Sequence, residues 1–253
     1  KVVIGGKEVS LCQRNNEEWV VNDYEKDIDY DLQALINKTI DTGRSRIPEK
    51  YKDFDATRVS FACKHEGSII KPIEDAILYC YLPTKASWGF PFLMNSDMIP
   101  KGDRNDIETE VLLLDDETNF NEELTSIAGE RLFYWLLELL ASRKYELGSV
   151  FSLVPNFDKC IKEHGDYKDY ILKFKDSFEK VLDKKNIVPV KKGIANVNYI
   201  VYDTIGLTTS GIMTDEEFLE FADLEDVYLP LPILRSNKSF NRFLKNYAKK
   251  DLT

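Results

Sequence analysis

The spacing of the apolar residues changes once along the chain, and this change limits the folds that the chain can adopt. Up to about residue 100, short apolar runs such as EEWVVND and ATRVSFACKH alternate with polar turns, which predicts strands of a largely antiparallel sheet. From Asn121 the apolar residues of NEELTSIAGERLFYWLLELLASRK recur at helical spacing and predict one long helix. Phe133 and Leu137 widen its apolar surface beyond a single stripe. We therefore expect this helix to be covered on more than one side, with the preceding sheet as one cover.

A second, more helical unit is predicted after the long helix. The segment YELGSVFSLVPNF has no clear period and contains Gly148 and Pro155, which indicates a junction. Beyond it, DYKDYILKFKDSFEKVLDKK and NKSFNRFLKNYAKK predict amphipathic helices, and NIVPVKKGIANVNYIVYD predicts two strands. The sequence therefore predicts an α+β protein with a sheet-and-helix domain at residues 1–147 and a mixed α/β accessory unit at residues 148–253.

The first residues of the chain predict a hairpin. KVVIGGKEVSL consists of two β-rich runs around Gly5 and Gly6. The chain starts at Lys1 rather than at a methionine. From this opening we expect the sequence to be a piece of a longer protein.

The net charge argues against nucleic acid as a partner. The 44 Asp and Glu residues outnumber the 34 Lys and Arg residues, and the resulting formal charge of -10 repels phosphate backbones. The strongest apolar helical stretch, around residues 132–141, is too short and too interrupted by charge to span a bilayer, and no signal-peptide pattern opens the chain. We expect a cytoplasmic protein that binds neither nucleic acid nor a membrane.

The cysteines and histidines do not predict a metal site. The four cysteines, Cys12, Cys63, Cys80 and Cys160, are scattered without a C-x-x-C pair, and the chain has only two histidines. Reduced thiols among apolar neighbours explain this pattern better than disulfides or zinc.

Self-contained catalytic motifs are also missing from the sequence. It has no G-x-x-x-x-G-K-[ST] phosphate loop, no G-x-S-x-G elbow and no H-E-x-x-H pair. DTGRS, residues 41–45, shares the first three residues of the Asp-x-Gly-x-Gly element of one class of ATPases, but its last residue is serine, and a turn after a helix explains it better. A stand-alone hydrolase would need the carboxylates of Asp115, Asp116 and Glu117, which an acidic loop before the long helix explains more simply.

The stretch GFPFLMNSDMIPKGDRND combines a period-two apolar run with an arginine-bearing loop. Gly102 permits an unusual backbone angle, and Asp103 can cap a turn that begins at Arg104. A long guanidinium at this point can project beyond the edge of the sheet, and its planar fork suits phosphate because it donates two parallel hydrogen bonds. The alternative is a surface ion pair of Arg104 with Asp103, Asp106 or Glu108, which is worth only about 0 to 1 kcal/mol.

At these residues the sequence resembles a family of ATPases. LYCYLPTKASWGFPFLMNSDMIPKGDRNDIE, residues 78–108, is similar to the middle region of the superfamily that includes gyrase, the ninety-kilodalton heat-shock chaperones, histidine kinases and MutL, and above all to its sacsin-type branch. In the heat-shock chaperones the loop arginine follows an aspartate by seven residues, and Arg104 follows Asp97 at the same separation. The resemblance is clearest over this segment and extends from about residue 17 to 143. It departs at Asp103, where the chaperones have serine.

The resemblance implies a transducer-type domain with a split β-α-β core, packed against an ATP-binding domain that precedes it in the full protein. The loop arginine of the family contacts the terminal phosphate of ATP. Arg104 is the residue that takes this role here, and Lys101 is a second candidate because related transducer domains use lysine. ATP and magnesium are expected in the upstream domain and no cofactor in this fragment, and we expect Asp103 and Asp106 to hold Arg104 until the ATP-binding domain closes.

The same resemblance names the expected partners. They are the upstream ATP-binding domain of the same chain, a client protein and a second copy in a homodimer. The competing interpretation is a non-catalytic protein-interaction module, in which Trp88, Phe90 and Phe92 form an aromatic docking surface. Burial in a core explains these aromatic residues at least as well.

Overall fold

The computed structural model describes residues 2–4, 7–9, 18–43, 46–109, 113–115, 118–202, 214, 217, 219–220, 227–248 and 250–251. Within them the strands are β1 (Val2–Ile4), β2 (Lys7–Val9), β3 (Glu18–Asp27), β4 (Ala56–Glu66), β5 (Ile69–Lys71), β6 (Ile77–Cys80), β7 (Leu82–Ser87), β8 (Leu93–Ser96), β9 (Val188–Val190), β10 (Gly193–Ala195), β11 (Val201–Tyr202) and β12 (Lys250–Asp251). The α-helices are α1 (Tyr30–Thr42), α2 (Phe120–Ser142), α3 (Leu147–Val150), α4 (Phe157–Glu163), α5 (Lys168–Leu182), α6 (Pro232–Arg235) and α7 (Lys238–Tyr247). Single turns of 3-10 helix occur at Glu49–Tyr51, Phe151–Leu153, Gly165–Tyr167 and Val197–Tyr199. None of the described helices combines the length and the apolar character needed to cross a membrane.

Six strands form the main sheet, in the order β3-β4-β8-β6-β7, and β5 pairs with the end of β4. β3 and β4 are antiparallel from Glu18↔His65 to Asp27↔Ala56. Alternate residues of β4 are buried, as its period of two predicts: Thr57, Val59, Phe61 and Cys63. β1 and β2 form a separate antiparallel pair, which confirms the predicted pairing of the first two runs.

The connections between strands fix the fold class. β8 is antiparallel to β4 and parallel to β6, and the parallel pair is linked through β7. α1 links β3 and β4, which are antiparallel neighbours. The split β-α-β unit expected from the resemblance needs a helical crossover between parallel strands, and none of the described elements forms one. The mixed sheet and its helices confirm the α+β class.

α2 lies between the main sheet and α5. On one side, Trp135 stacks on Phe61 of β4 with ring centroids 5.2 Å apart. On the other side α2 packs against α5, where a Cβ on Gly129 would lie 2.2 Å from the carbonyl oxygen of Phe174. Only glycine allows the two backbones to approach so closely. The prediction that the long helix is covered on more than one side is therefore confirmed.

The segment DTGRS contains the end of α1. Gly43 caps this helix in the left-handed region with a φ of 62°, and its amide donates to the carbonyl of Ile40. Asp41 pairs with Lys52 at 2.5 Å. Residues 44 and 45 lie outside the described residues. The predicted turn after a helix is confirmed at Gly43.

The buried core continues from the sheet into the later helices. Phe90, just before β8, contacts Phe174 of α5 at 4.7 Å and Phe157 of α4 at 6.2 Å between ring centroids. One apolar cluster includes residues on both sides of residue 147. The division of the chain into residues 1–147 and 148–253 stays a prediction.

Candidate phosphate-contact loop

The segment after β8 folds back on itself as a hairpin. Pro100 and Ile107 form an antiparallel bridge. The amide of Lys101 donates to the carbonyl of Asp106 at 2.8 Å, and the amide of Glu108 donates to the carbonyl of Ile99 at 2.9 Å. These bonds define the loop of residues 97–108, which we call the phosphate-contact loop after the role expected from the resemblance. Its base is at residues 97–99 and 107–108, and its tip is at residues 102–105.

The tip is a tight turn held by local hydrogen bonds. The amide of Arg104 donates to the carbonyl of Lys101 at 2.8 Å, and Arg104 has a φ of 55°, in the left-handed region that favours glycine. Asp103 accepts from the amide of Asn105 at 3.0 Å and from its side-chain nitrogen at 2.9 Å. These hydrogen bonds from Asn105 hold the pKa of the Asp103 carboxyl below its usual range. Asp103 therefore caps a turn, as predicted, but no helix follows.

The Arg104 side chain is exposed at this tip. Within the described part of the chain its guanidinium makes no hydrogen bond and no ion pair. Asp103 is engaged with Asn105, and Asp106 is engaged with Lys101. We expected these two carboxylates to hold Arg104. The structure contradicts this expectation, because each carboxylate has another partner.

Lys101 braces the loop instead of projecting from it. Its ammonium lies 3.1 Å from Oδ2 of Asp106, and its side chain is 42% exposed. Oδ1 of Asp106 accepts from the hydroxyl of Tyr167 at 2.7 Å and from the amide of Ile107 at 2.8 Å. Burial, and then the hydrogen bond to Asp106, raise the pKa of the Tyr167 hydroxyl well above its usual range. Asp106 thus joins Lys101 to a residue that lies 61 positions later in the chain.

Asn121, in the first turn of α2, holds both arms of the loop at its base. Its Oδ1 accepts from the amide of Ile99 at 2.8 Å. Its Nδ2 donates to the carbonyl of Ile99 at 3.0 Å and to the carbonyl of Glu108 at 2.8 Å. Asn121 is fully buried. An amide offers both an acceptor and two donors, so this one side chain bonds to three backbone groups in the two arms of the loop.

Asp97 anchors the first arm to β4. It is 5% exposed and accepts from the amide of Arg58 at 2.8 Å and the hydroxyl of Thr57 at 3.1 Å. Its carbonyl accepts from the hydroxyl of Tyr51 at 3.1 Å. Burial, and then the nearby Asp97, raise the pKa of the Tyr51 hydroxyl. The aspartate that the resemblance singles out is therefore a buried anchor.

The loop also covers part of an exposed sheet edge. β7 is the last strand of the main sheet. The amide of Lys85, in β7, donates to the carbonyl of Asn105 at 2.7 Å. This bond fixes the tip against the sheet, since an edge strand otherwise leaves its amides unpaired. The backbone around Arg104 is thus held on two sides while its side chain extends outward.

The residues that the competing predictions depend on do not lie at the exposed tip of this loop. Trp88, Phe90 and Phe92 are at most 2% exposed, so they lie in the core and do not form a surface in this fold. Asp115 accepts from the amide of Thr118 at 2.6 Å, and residues 116 and 117 lie outside the described residues. In the part of the chain that the structure describes, no three Asp, Glu, His or Cys side chains are grouped to hold a metal ion.

The described cysteines are free and buried. Burial raises the pKa of the Cys63 and Cys80 thiols to about 12 and that of the Cys160 thiol to about 11. A raised pKa leaves little thiolate at neutral pH, so these side chains act as small apolar groups. Cys12 lies outside the described residues.

Two residues that position the loop were not found from the sequence. Asn121 carries a local signal, since an asparagine within the apolar pattern of a helix needs hydrogen-bond partners when it is buried. Tyr167 carries none, because its partner Asp106 is remote in sequence. The hydrogen bonds of Asn121 and Tyr167 hold the polar loop that carries Arg104 in one conformation.

This support can present a permanent positive charge to an anion approaching from outside the chain. Arg104 can donate paired hydrogen bonds to phosphate, and the loop backbone does not need to reorganise because it is already held.

A scan against protein-family models gave no match to this chain, and neither did searches of curated proteins and of solved structures.

Proposed function

We propose that this chain is the middle, transducer region of a sacsin-type ATPase and that Arg104 contacts the γ-phosphate of ATP held by an upstream domain of the same protein. The observation that carries the proposal is the exposed guanidinium of Arg104, free of ion pairs among the described residues, on a loop whose base is buried. The sequence resemblance over residues 78–108 supplies the family. The proposal rests on this loop and not on the strand connections, which differ from a split β-α-β unit.

The backbone of Arg104 supports a functional role for its side chain. A φ of 55° costs a non-glycine residue about 1 kcal/mol, and Gly102 is only two residues away. Strained positions that keep a large side chain are concentrated at functional sites. A solvated turn without a ligand would gain from glycine at this position.

Lys101 has a different role in the proposed mechanism. Its ammonium is engaged by Asp106, so moving it to a phosphate would break the brace that links the loop to Tyr167. Arg104 can reach an anion without breaking any contact described here. We therefore assign phosphate contact to Arg104 and loop positioning to Lys101.

The proposed chemistry is electrostatic. Charge builds up on the equatorial oxygens of the transferred phosphoryl group, and a fixed guanidinium stabilises it more in the transition state than in the ground state. Magnesium and the residues that hold ATP belong to the upstream domain in this proposal. The contact of Asp106 with Tyr167 gives the loop a direct connection to the segment after residue 147, which suits the transmission of nucleotide state to a client-binding or dimerising region.

The test uses the full-length protein in steady-state ATP turnover and, separately, in equilibrium ATP binding. Arg104→Ala is expected to lower kcat by about 10²-fold and to leave the ATP Kd within about threefold, since the lost contact forms mainly in the transition state. Arg104→Lys should recover part of the rate because it keeps the charge but loses the paired donors. Unchanged turnover in Arg104→Ala would remove the catalytic assignment.

Arg143 provides a matched control for this experiment. It is also an exposed arginine in the left-handed region, with a φ of 54°, but it ends α2 rather than lying in the loop. Arg143→Ala should leave turnover unchanged. The chain of 253 residues by itself is expected to give no saturable heat with ATP by calorimetry, because the nucleotide-holding residues lie elsewhere in this proposal.

A further inference from the structure

A cavity of about 520 Å³ lies away from the phosphate-contact loop. It is bounded by the end of β3 with the start of α1, by the middle of α2, and by the last turns of α5. Its volume falls within the range of sites that bind small molecules. The proposed ATPase function does not use any of its lining residues.

Part of the cavity surface is apolar and part is polar. Leu32 of α1, Ile127 of α2 and Val181 of α5 line it, and all three are half-buried side chains packed against the core. The hydroxyls of Ser126 and Ser177 lie 2.6 Å apart and join α2 to α5 in this lining. The surface is therefore built from three elements at once and can cover the apolar body of a ligand.

The charged side chains around the cavity are distributed unevenly. Glu130 pairs with Lys26, and Glu123 lies 3.6 Å from Lys173. Asp29 caps α1 by accepting from the amide of Leu32 at 2.9 Å. Most of the acidic groups of the lining are thus already engaged.

The lysines of the α5 wall have no such partners. Lys180, Lys184 and Lys185 are exposed, and none of them forms an ion pair with another described residue. Asp27 and Asp29, on the opposite wall, are the carboxylates that form no ion pair with a described residue, so two negative charges face three positive ones. The α5 wall therefore carries an excess of positive charge next to the apolar part of the cavity.

We propose that this cavity binds a small organic anion. Its apolar body lies on Leu32, Ile127 and Val181, and its carboxylate, sulfonate or phosphate group lies against the ammonium groups of Lys184 and Lys185. An inorganic anion would use the lysines but leave the apolar surface in water, and a neutral apolar molecule would gain nothing from the charge of the three lysines. Only a ligand with both parts uses the whole cavity.

The probe is 1-anilinonaphthalene-8-sulfonate, titrated into the whole chain and followed by its fluorescence. We expect one saturable site that the double substitution Lys184→Glu and Lys185→Glu weakens about tenfold in Kd, because two attractive charges become repulsive. The matched control is Lys162→Glu with Lys168→Glu, which changes the net charge equally at exposed positions outside the cavity. The control should keep the Kd within about twofold.

Two further measurements distinguish binding at this site from nonspecific binding of the probe. Leu32→Trp fills the cavity from α1 and should weaken the probe by about tenfold while circular dichroism shows the same helix content. Inorganic sulfate at the probe's concentration should not displace it, because sulfate cannot use the apolar surface.

Equal probe affinity in the two charge-reversed doubles would overturn the proposal. So would a lower melting temperature of the Lys184 and Lys185 double with unchanged probe affinity, because the lysines would then only stabilise the C-terminal end of α5. Displacement by sulfate alone would also overturn it. None of these outcomes depends on ATP, so they leave the proposed role of Arg104 untouched.

Discussion

The base and the tip of the phosphate-contact loop are built by opposite means. At the base, the buried amide of Asn121 and the buried carboxylate of Asp97 satisfy backbone groups of the loop and of β4. At the tip, the backbone is held by Asn105 and Lys85, and the side chain of Arg104 is left exposed. At the base, hydrogen bonds fix the conformation of the backbone. At the tip, one charged side chain stays exposed to solvent.

This difference shows how a short loop can fix the backbone of an arginine and leave its side chain exposed. A buried hydrogen bond contributes to stability mainly because breaking it leaves groups without water. An exposed guanidinium gains little from neighbouring carboxylates and loses little without them. Stability should therefore depend on the base, and the proposed phosphate contact should depend on the tip.

The largest expected effect is at the base. Asn121→Ala should lower the free energy of unfolding by about 2 kcal/mol, since the amide of Ile99 loses its hydrogen bond in a buried place and the carbonyls of Ile99 and Glu108 each lose one of their two hydrogen bonds. Urea denaturation measures this loss. The control at the tip is Asn105→Ala, which removes only an exposed side-chain bond to Asp103 and should change stability by less than about 0.5 kcal/mol. Similar losses in the two variants would remove the distinction between base and tip.

A smaller effect is expected from alkaline pH, which acts on the Cys80 thiol of β6, on which the charges of Asp106 and Asp97 of the loop act. Burial, followed by the charges of Asp106 and Asp97, raises the pKa of the Cys80 thiol to about 12 from an ordinary value of 9.0. The folded state keeps this proton after the unfolded state has lost it, so the contribution is complete below pH 9 and is lost as the pH rises toward 12. Between pH 8 and pH 10 this one thiol should reduce stability by about 1 kcal/mol.

The measurement is urea denaturation at both pH values for the native chain and for Cys80→Ala. The variant should show a weaker loss of stability with pH, and an equal loss would exclude Cys80 as its source.

The tip responds to pH in the other direction. The lowered pKa of the Asp103 carboxyl stabilises the folded state above the unfolded pKa of this group, and this stabilisation is lost as the pH falls. Asp103 is fully exposed, so its acid response should be the weaker of the two.

The smallest expected effect is at the tip. Arg104→Gly should raise the free energy of unfolding by about 0.5 kcal/mol, because glycine adopts a φ of 55° without strain but also gains freedom in the unfolded chain. Arg143→Gly should give a similar gain at the end of α2, where glycine is common. Thermal unfolding of both variants measures these gains. A clear loss in Arg104→Gly alone would mean that its side chain has a stabilising partner.

Local pattern predicted much of the fold. The alternation of β4 and the helical period of α2 both follow from residues that are neighbours in sequence, and so does the cover of α2 on two sides. Thr214 and Glu217 are three residues apart and form the two reciprocal contacts of a capping box, at 2.6 and 3.2 Å. The order of strands in the sheet did not follow, since the parallel pairing of β6 with β8 depends on contacts that no local period encodes.

The exposed side chain of Arg104 was predicted from the sequence, but the residues that hold its loop were not. Arg104 and Gly102 suggested a projecting guanidinium because arginine and glycine act locally. The predicted restraint by Asp103 was wrong because an aspartate bonds more readily to an amide two residues on than to a flexible guanidinium. The cavity could not be predicted at all, since its walls come from residues between 26 and 185.

The hydrogen bonds of Asn121 make the loop an extension of α2. This helix has 23 residues, so it is about 34 Å long, and it packs against α5 around Gly129 and against the main sheet through Trp135. If α2 pivots about its C-terminal end, a tilt of about 5° carries Asn121 and the loop through about 3 Å. Under the proposed function, a movement of that size decides whether the guanidinium touches the phosphate, so the orientation of one helix would set the reach of Arg104.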